Sequence, residues 1–314
     1  MTNLDKGTTV LVTGGAGFIG SHLVDALVVR GTRVRVLDNF STGNLANLSH
    51  LADEIEIHEG DIRDEGACAR ACKGTDIVFH QAALGSVPRS IEDPASSYAV
   101  NVLGTVSLFE AAMGAGVARV VYASSSSVYG DSRELPKKEG REGRPLSPYA
   151  ATKQAGEAAA HALGVSKGLE SVGLRYFNVY GPRQDPNGPY AAVVPRFFDA
   201  CSRGKGPTIF GDGEQSRDFT YVSDAVQANL LAASSPGAAG RVFNVARGEA
   251  VTVRELADRV LRLMDSHTNP ILEPERIGDV KHSLADLTDA RRYLHYEPSF
   301  DIGAGLSETA RAYR

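Results

Sequence analysis

Val10-Leu11-Val12-Thr13-Gly14-Gly15-Ala16-Gly17-Phe18-Ile19-Gly20 is the stretch on which the fold turns. Its first three residues read as a short buried strand, and residues 17–30 carry helical spacing. Gly14, Gly17 and Gly20 stand three apart at the junction. There the first glycine permits a tight turn, the second lets the main chain approach a pyrophosphate, and the third lets helix pack close to strand. The opening amides of the helix, at Phe18 and Ile19, then face the phosphates. A glycine-rich turn without a ligand would need nothing further. Here a second strand pattern ends on Asp38, where a carboxylate accepts hydrogen bonds from a ribose and repels a 2′-phosphate. Strand, glycines, helix and acid together predict a dinucleotide site that takes NAD rather than NADP.

The alternation continues outward. Ile55 and Ile57 alternate with charged residues, and residues 77–79 and 120–122 are further apolar runs that end on small or polar residues. This predicts an α/β protein, a Rossmann-type doubly wound parallel sheet with helices on both faces. Asp61 and Ile62, after the third strand pattern, are placed to meet an adenine, although packing within the loop would suit them as well. After about Phe177 the regularity fades, with Gly- and Pro-rich stretches at 181–189 and 204–207. We therefore expect an NAD-binding domain over residues 1–176 and a smaller α/β substrate-binding domain over residues 177–314. Residues 242–245 read as one more buried strand, so the chain is expected to return to the first sheet around 219–246.

Of 314 residues, 42% are hydrophobic and 23% charged, which suits a globular chain and excludes a wholly disordered one. A net charge of −5 gives no electrostatic case for nucleic acid, so an anionic substrate needs local basic residues. No apolar run approaches the ~20 residues of a membrane-spanning helix. The opening MTNLDKGTT runs straight into the strand pattern, so no leader and a cytoplasmic location are expected. Cys68, Cys72 and Cys201 read as packing residues in a reducing compartment. No metal is expected, because His22, His58, His80, His161 and His282 show no ligand-like grouping.

The most informative chemistry lies in Ser147-Pro148-Tyr149-Ala150-Ala151-Thr152-Lys153. Serine is a good N-cap and proline suits the first helical position. Tyr149 and Lys153 then share one helix face. A phenol with a pKa of roughly 10 is a poor base at neutral pH. A nearby ammonium, a helix N-terminus and the positive charge of nicotinamide all favour phenolate, which makes Tyr149 a candidate general base for an alcohol proton. Tyr-x-x-x-Lys is common by chance, and a surface pair on an Ala-rich helix would look the same. Its position downstream of the glycine loop and of Ala123-Ser124-Ser125-Ser126-Ser127 raises it above that. Ser125 is the candidate hydroxyl beside Tyr149; its neighbours can serve simply to close a turn.

These residues resemble the extended short-chain dehydrogenase/reductases, and among them the nucleotide-sugar 4-epimerases. The resemblance runs through residues 13–20, His80-Gln81-Ala82-Ala83, Asn101-Val102-Leu103-Gly104, residues 124–130, Tyr149 to Lys153, Arg175-Tyr176-Phe177-Asn178-Val179-Tyr180-Gly181 and Arg217-Asp218-Phe219. It extends the implied NAD site to Asn39, Gln81, Ala82, Ala83, Asn101 and Tyr176. It implies diphosphate contacts at Asn178, Arg217 and Arg276, a uracil neighbour at Phe210, and substrate contacts at Ala192, Val193 and Ser126. Related 4,6-dehydratases usually carry Asp-Glu where Ser126 and Ser127 stand, and decarboxylases a Glu at Ser127; neither carboxylate is present.

What remains is oxidation at C4 by Tyr149, Lys153 and Ser125, rotation of a 4-keto sugar, and reduction on its other face: reversible 4-epimerisation of a UDP-sugar with tightly held NAD. Leu84-Gly85-Ser86-Val87-Pro88-Arg89-Ser90-Ile91 resembles the loop of epimerases that prefer N-acetylated hexosamines, and Ser283 stands where strict UDP-galactose enzymes carry a bulky Tyr. UDP-GlcNAc/UDP-GalNAc are therefore expected, with UDP-glucose/UDP-galactose admitted. A uronic acid whose carboxylate meets Arg89, a dehydration, or a non-catalytic NAD-binding regulator are the alternatives. Helices around residues 94–114 and 149–164 resemble those that pair in dimeric relatives, so a homodimer is expected.

Overall fold

The computed structural model describes residues 4–187, 191–275 and 281–314. In chain order, β1 (Thr9–Thr13), α1 (Phe18–Val29), β2 (Arg33–Asp38), β3 (Ile55–Glu59), α2 (Glu65–Cys72), β4 (Ile77–His80), α3 (Val87–Glu92), α4 (Pro94–Tyr98), α5 (Thr105–Gly114), β5 (Arg119–Ser125), α6 (Pro148–Lys167) and β6 (Ser171–Tyr176) build the first part. There follow β7 (Val179–Tyr180), α7 (Val193–Ser202), β8 (Thr208–Phe210), β9 (Ser216–Asp218), β10 (Thr220–Tyr221), α8 (Val222–Ser234), β11 (Arg241–Val245), β12 (Ala250–Thr252), α9 (Val253–Leu263), β13 (Ile271–Glu273) and α10 (Ile302–Ala310).

Among the described residues, seven parallel strands form one sheet in the order β11-β6-β5-β4-β1-β2-β3. Val10 lies opposite Val34 on one side and Ile77 on the other. The strand order reverses at β1, so the carboxyl ends of β1 and β4 diverge and open a crevice. β4 and β6 are buried along their whole length, as strands covered on both faces must be, whereas β3 at the edge keeps Ile57 exposed. On one face α1 packs on α8; on the other α2 packs on α5, and α6 on β5 and β6. No helix among the described residues is long and apolar enough to cross a membrane.

The irregular later part has its own core. Phe197, Phe198, Leu256, Val260 and Leu306 bury together beneath short strand pairs, β8 with β13 and β9 with β12. The side chain of Thr252 and that of Glu255 cap α9 reciprocally, which fixes its start beside β12. Ala285, Leu287, Leu294 and Tyr296 instead pack into the cluster under the main sheet.

Candidate active site

The glycine loop is closed by sterics. Gly14 has φ +67°, and a Cβ there would lie 2.6 Å from the Ala82 amide nitrogen at the end of β4. A Cβ on Gly20 would lie 2.1 Å from the Gly14 carbonyl oxygen, so only glycine lets α1 approach the loop this closely. Gly17 caps α1 without a side-chain hydrogen bond, and the first amides of the helix have no intrahelical acceptor. Such a cradle of free amides and bare backbone fits a pyrophosphate. Buried Asp38 accepts from the Ala16 amide at 2.9 Å and the Phe40 amide at 2.8 Å. A carboxylate has about four lone-pair sites, so two are left for ribose hydroxyls. The residues present thus fit NAD.

Farther along the crevice, Asn39 donates to Asp61 at 2.7 Å, and Arg63 pairs with the same carboxylate at 2.7 Å, which holds it well below the usual carboxylate range. Ile62 is buried against Gly104, where any Cβ would strike it. These contacts hold the loop at this end of the crevice. Tyr176 and Gln81 meet each other at 3.1 Å, and both reach Asn229 on α8. Ala83 follows half-buried at the end of β4. Asn101 sits in a π-helical turn, Ala99–Gly104, accepts from the Leu84 amide and donates to the Leu84 carbonyl and Thr152. Its side chain is a clamp between the β4 exit and α6.

A chain of hydrogen bonds of fixed direction runs beneath the loop. The Thr105 hydroxyl donates to the Asn101 carbonyl at 2.8 Å, so toward His80 Nε2, 3.0 Å away, it can only accept. His80 Nδ1 must then accept from the Thr13 hydroxyl at 2.7 Å, which in turn accepts from the Ala82 amide. One tautomer satisfies all four contacts. Burial pushes the imidazole down to about 3, so the ring is neutral.

On α6 the Ser147 side chain accepts from the Ala150 amide and Pro148 occupies the first turn. The Tyr149 hydroxyl hydrogen-bonds that of Ser125 at the end of β5. Lys153, buried one turn on, donates to the Ala123 carbonyl at 2.9 Å and lies 5.9 Å from the Tyr149 ring centre. Withdrawal from water raises the phenol above its ordinary value, and the Ser125 bond opposes this. Burial likewise lowers Lys153 to about 8. A phenolate at Tyr149 therefore needs added positive charge to offset burial. Ser126 begins a tight turn, Ser126–Tyr129, in which the Ser127 amide donates to Ser125 Oγ. No Asp or Glu stands in that turn.

The loop before α3 reaches this helix. Ser86 caps α3 by accepting from the Arg89 amide, Val87 is exposed, and Ser90 Oγ accepts from the Tyr149 amide at 3.0 Å. Across the crevice, Asn178, at φ +37°, donates to the Asp218 carbonyl. Arg217 reaches the Ser216 and Lys281 carbonyls, and the Ser283 amide donates to the same Ser216 carbonyl at 3.0 Å. Arg217 and Ser283 are thereby brought together. Val193 and Phe210 line a cleft of about 410 Å³ together with Arg196, Phe197, Arg203 and Lys205. Ala192 caps α7 and is exposed beside it. Arg276 lies outside the described residues. No group of three metal-ligating side chains occurs among the described residues.

Residues 10–246 match the NAD dependent epimerase/dehydratase family. The chain belongs to that family. It is 40% identical over 308 residues to UDP-glucose 4-epimerase of Mycolicibacterium smegmatis, covering 97% of this chain and 98% of that one. Its fold superposes with TM-score 0.93 on UDP-N-acetylglucosamine 4-epimerase of Methanobrevibacter ruminantium in complex with UDP-N-acetylmuramic acid, at 41% identity and 98% coverage of both chains. UDP-glucuronic acid 4-epimerase of Bacillus cereus, solved with UDP-glucuronic acid and NAD, superposes at TM-score 0.91 with 29% identity, covering 98% of this chain and 99% of that one.

In this member of the NAD dependent epimerase/dehydratase family, sequence reading passed over three site features. The Thr13–His80–Thr105 chain joins residues made neighbours only by sheet pairing. The π-helical turn that turns Asn101 inward has no local sequence signal. Glu157, bonded to Ser124 and Arg175, did leave a trace: it stands four residues after Lys153 on the same helix face.

Proposed function

We propose that this protein is an NAD-dependent UDP-sugar 4-epimerase that interconverts UDP-GlcNAc and UDP-GalNAc and also admits UDP-glucose and UDP-galactose. The observation that carries the reading is the Ser125–Tyr149 hydroxyl pair beside a serine turn without carboxylates. That site can take a proton from an alcohol and return it, but has no acid or base in the turn for expelling water or carbon dioxide.

NAD, when bound at Gly14, Gly17, Phe18, Ile19, Gly20 and Asp38, supplies the acceptor and later the donor of two electrons, and its positive ring adds to the charge that draws the phenol toward phenolate. Tyr149 Oη accepts the proton of the C4 hydroxyl, with Ser125 Oγ holding that oxygen. Lys153 keeps an ammonium under the phenol. The 4-keto sugar turns about its link to the diphosphate, and Tyr149 returns the proton on the other face. Arg217, Asn178 and Arg276 hold the diphosphate through the turn, since guanidinium forks match phosphate oxygens. Phe210, Ala192 and Val193 take the uridine end. Ser86, Val87, Arg89, Ser126 and Ser283 border the sugar.

The proposed division is a cofactor domain over residues 1–176, joined again by 219–246, and a substrate domain in the remainder, working as a homodimer in the cytoplasm. A uronic-acid substrate is the second reading. It is favoured by Arg89, a cation on the helix whose Ser90 touches Tyr149. A proton NMR time course with UDP-GlcNAc and no added NAD, beside parallel UDP-glucose and UDP-glucuronic acid tubes, tests both. UDP-GalNAc should form fastest. Turnover of the uronic acid alone would replace the first reading with the second, and no turnover in any tube after addition of NAD would remove both.

A further inference from the structure

Three consecutive residues at the end of β5 are each engaged by a successive turn of α6. Ser125 meets Tyr149, the Ala123 carbonyl accepts from Lys153, and Ser124 donates to Glu157. Tyr149, Lys153 and Glu157 are spaced four apart, so they climb one helix face at about 5.4 Å per turn. A slip of the helix by one turn would break all three contacts together.

The lowest contact is anchored in the core. Glu157 takes a two-pronged bond from Arg175 on β6, Nε to Oε1 at 2.9 Å and Nη2 to Oε2 at 2.7 Å. Arg175 is 3% exposed and also reaches Glu142 and the Tyr129 hydroxyl, which donates to Asn244 on β11 at 2.6 Å. Planar bidentate pairing fixes direction as well as distance. Two carboxylates facing one guanidinium leave this cluster with a net negative charge.

We propose that Glu157 is a positioning residue for the Tyr149–Lys153 pair: it sets the register of α6 against β5 and supplies the negative charge that keeps Lys153 protonated in a buried site. The inference rests on the reading of Tyr149 and Lys153 as the acid–base pair. The groups that face Lys153 agree with it. From α6 these are Tyr149 and Glu157, and from β4 His80, a neutral ring; Arg175 on β6 is already paired with its two carboxylates. Glu157 is the anion among them that raises Lys153 against the lowering effect of burial. Arg175 acts through Glu157, and its positive charge is offset before it reaches the lysine.

The test compares the full-length wild type with Glu157→Gln and Glu157→Asp. Two measurements are made on each, with bound NAD quantified throughout. One is kcat and KM for the UDP-sugar from pH 6 to pH 10. The other is the pH titration of the Lys153 side-chain carbon signal in protein with isotope-labelled lysine, assigned by its loss in Lys153→Met. Gln keeps the shape and removes the charge. The expected result is a Lys153 midpoint lower by about one pH unit, an alkaline fall in kcat that moves with it, and KM and NAD content as in the wild type. Asp keeps the charge one methylene short of Ser124 and Arg175. It should hold the wild-type midpoint while kcat drops severalfold.

A Gln variant with an unmoved midpoint overturns the proposal, as does loss of NAD or a raised KM at full kcat, which is what a merely structural contact would give. Should Gln fail to fold, Asp decides, since wild-type kcat there overturns the role in register. If the wild type epimerises no UDP-sugar, the functional reading fails by itself, and the lysine titration still decides the charge role.

Discussion

Lys153 Nζ donates a hydrogen bond to the Ala123 carbonyl at 2.9 Å while standing 5.9 Å from the centre of the Tyr149 ring. The lysine therefore acts on the phenol as a fixed charge held by the strand, and the hydroxyl that touches the phenol is that of Ser125. Division of labour follows: one residue sets the electrostatics and another shares the proton.

Tyr149→Phe removes the proton acceptor and one hydrogen bond to Ser125. Loss of acid–base catalysis is expected to lower kcat by about 10²–10⁴-fold. Bound NAD and thermal midpoint should stay close to the wild type, as read by nucleotide release and calorimetry.

Rate should fall at alkaline pH. Burial lowers Lys153 to about 8, so it is charged below that pH and neutral above it. As pH rises through about 8, the ammonium that favours phenolate is lost and kcat declines. A pH–rate profile under saturating substrate checks this, and Lys153→Met should abolish the alkaline limb along with most of the activity.

Stability should fall on the acid side through His80. Its folded value of about 3 lies below the ordinary 6.5, so between these pH values the unfolded chain binds a proton that the folded chain refuses. The ring's contribution is whole above pH 6.5 and is lost as pH falls toward 3, at up to about 1.4 kcal/mol per pH unit. Urea midpoints at pH 7 and pH 5 should show a smaller difference in His80→Gln than in the wild type.

Asp38→Asn leaves one of the Ala16 and Phe40 amides facing an NH₂ group, a cost of about 1–3 kcal/mol. It also removes the charge proposed to receive the ribose. Purified variant protein should carry much less NAD than the wild type, measured by absorbance of the nucleotide released on denaturation.

Ser283→Tyr fills the space beside Arg217 and Ser216. UDP-GlcNAc turnover should drop by at least tenfold while UDP-glucose turnover changes little, because a pocket rejects an oversized group more strongly than a small one. Equal losses on both sugars would count against Ser283 as the residue that admits the N-acetyl group.

Much of this molecule was legible from residue order because its rules are local. Glycines at 14, 17 and 20, an acid after the second strand and Tyr149 four residues before Lys153 each express a fixed helix or strand period. What escaped depends on pairing between distant strands. Thr13 and His80 meet because β1 lies beside β4, and Arg175 meets Glu157 because β6 lies beside β5 under α6. The fading regularity after Phe177 reflects strands of only two to five residues, too short for a period to show.

The seventh strand has a consequence for how the chain comes into being. β6 is buried along its whole length, yet its outer neighbour β11 is made only after residues 177–240 have been synthesised. Until then, an apolar strand with a row of unpaired amides and carbonyls is an open edge, the kind of template on which nascent chains stick to one another. A protein cut after residue 176 would retain every residue of the glycine loop and the Tyr149–Lys153 pair and still present that edge to solvent. The nucleotide half is thus not a separable cartridge, and the last of the main sheet's seven strands to leave the ribosome tunnel is the one that covers the edge left open by β6.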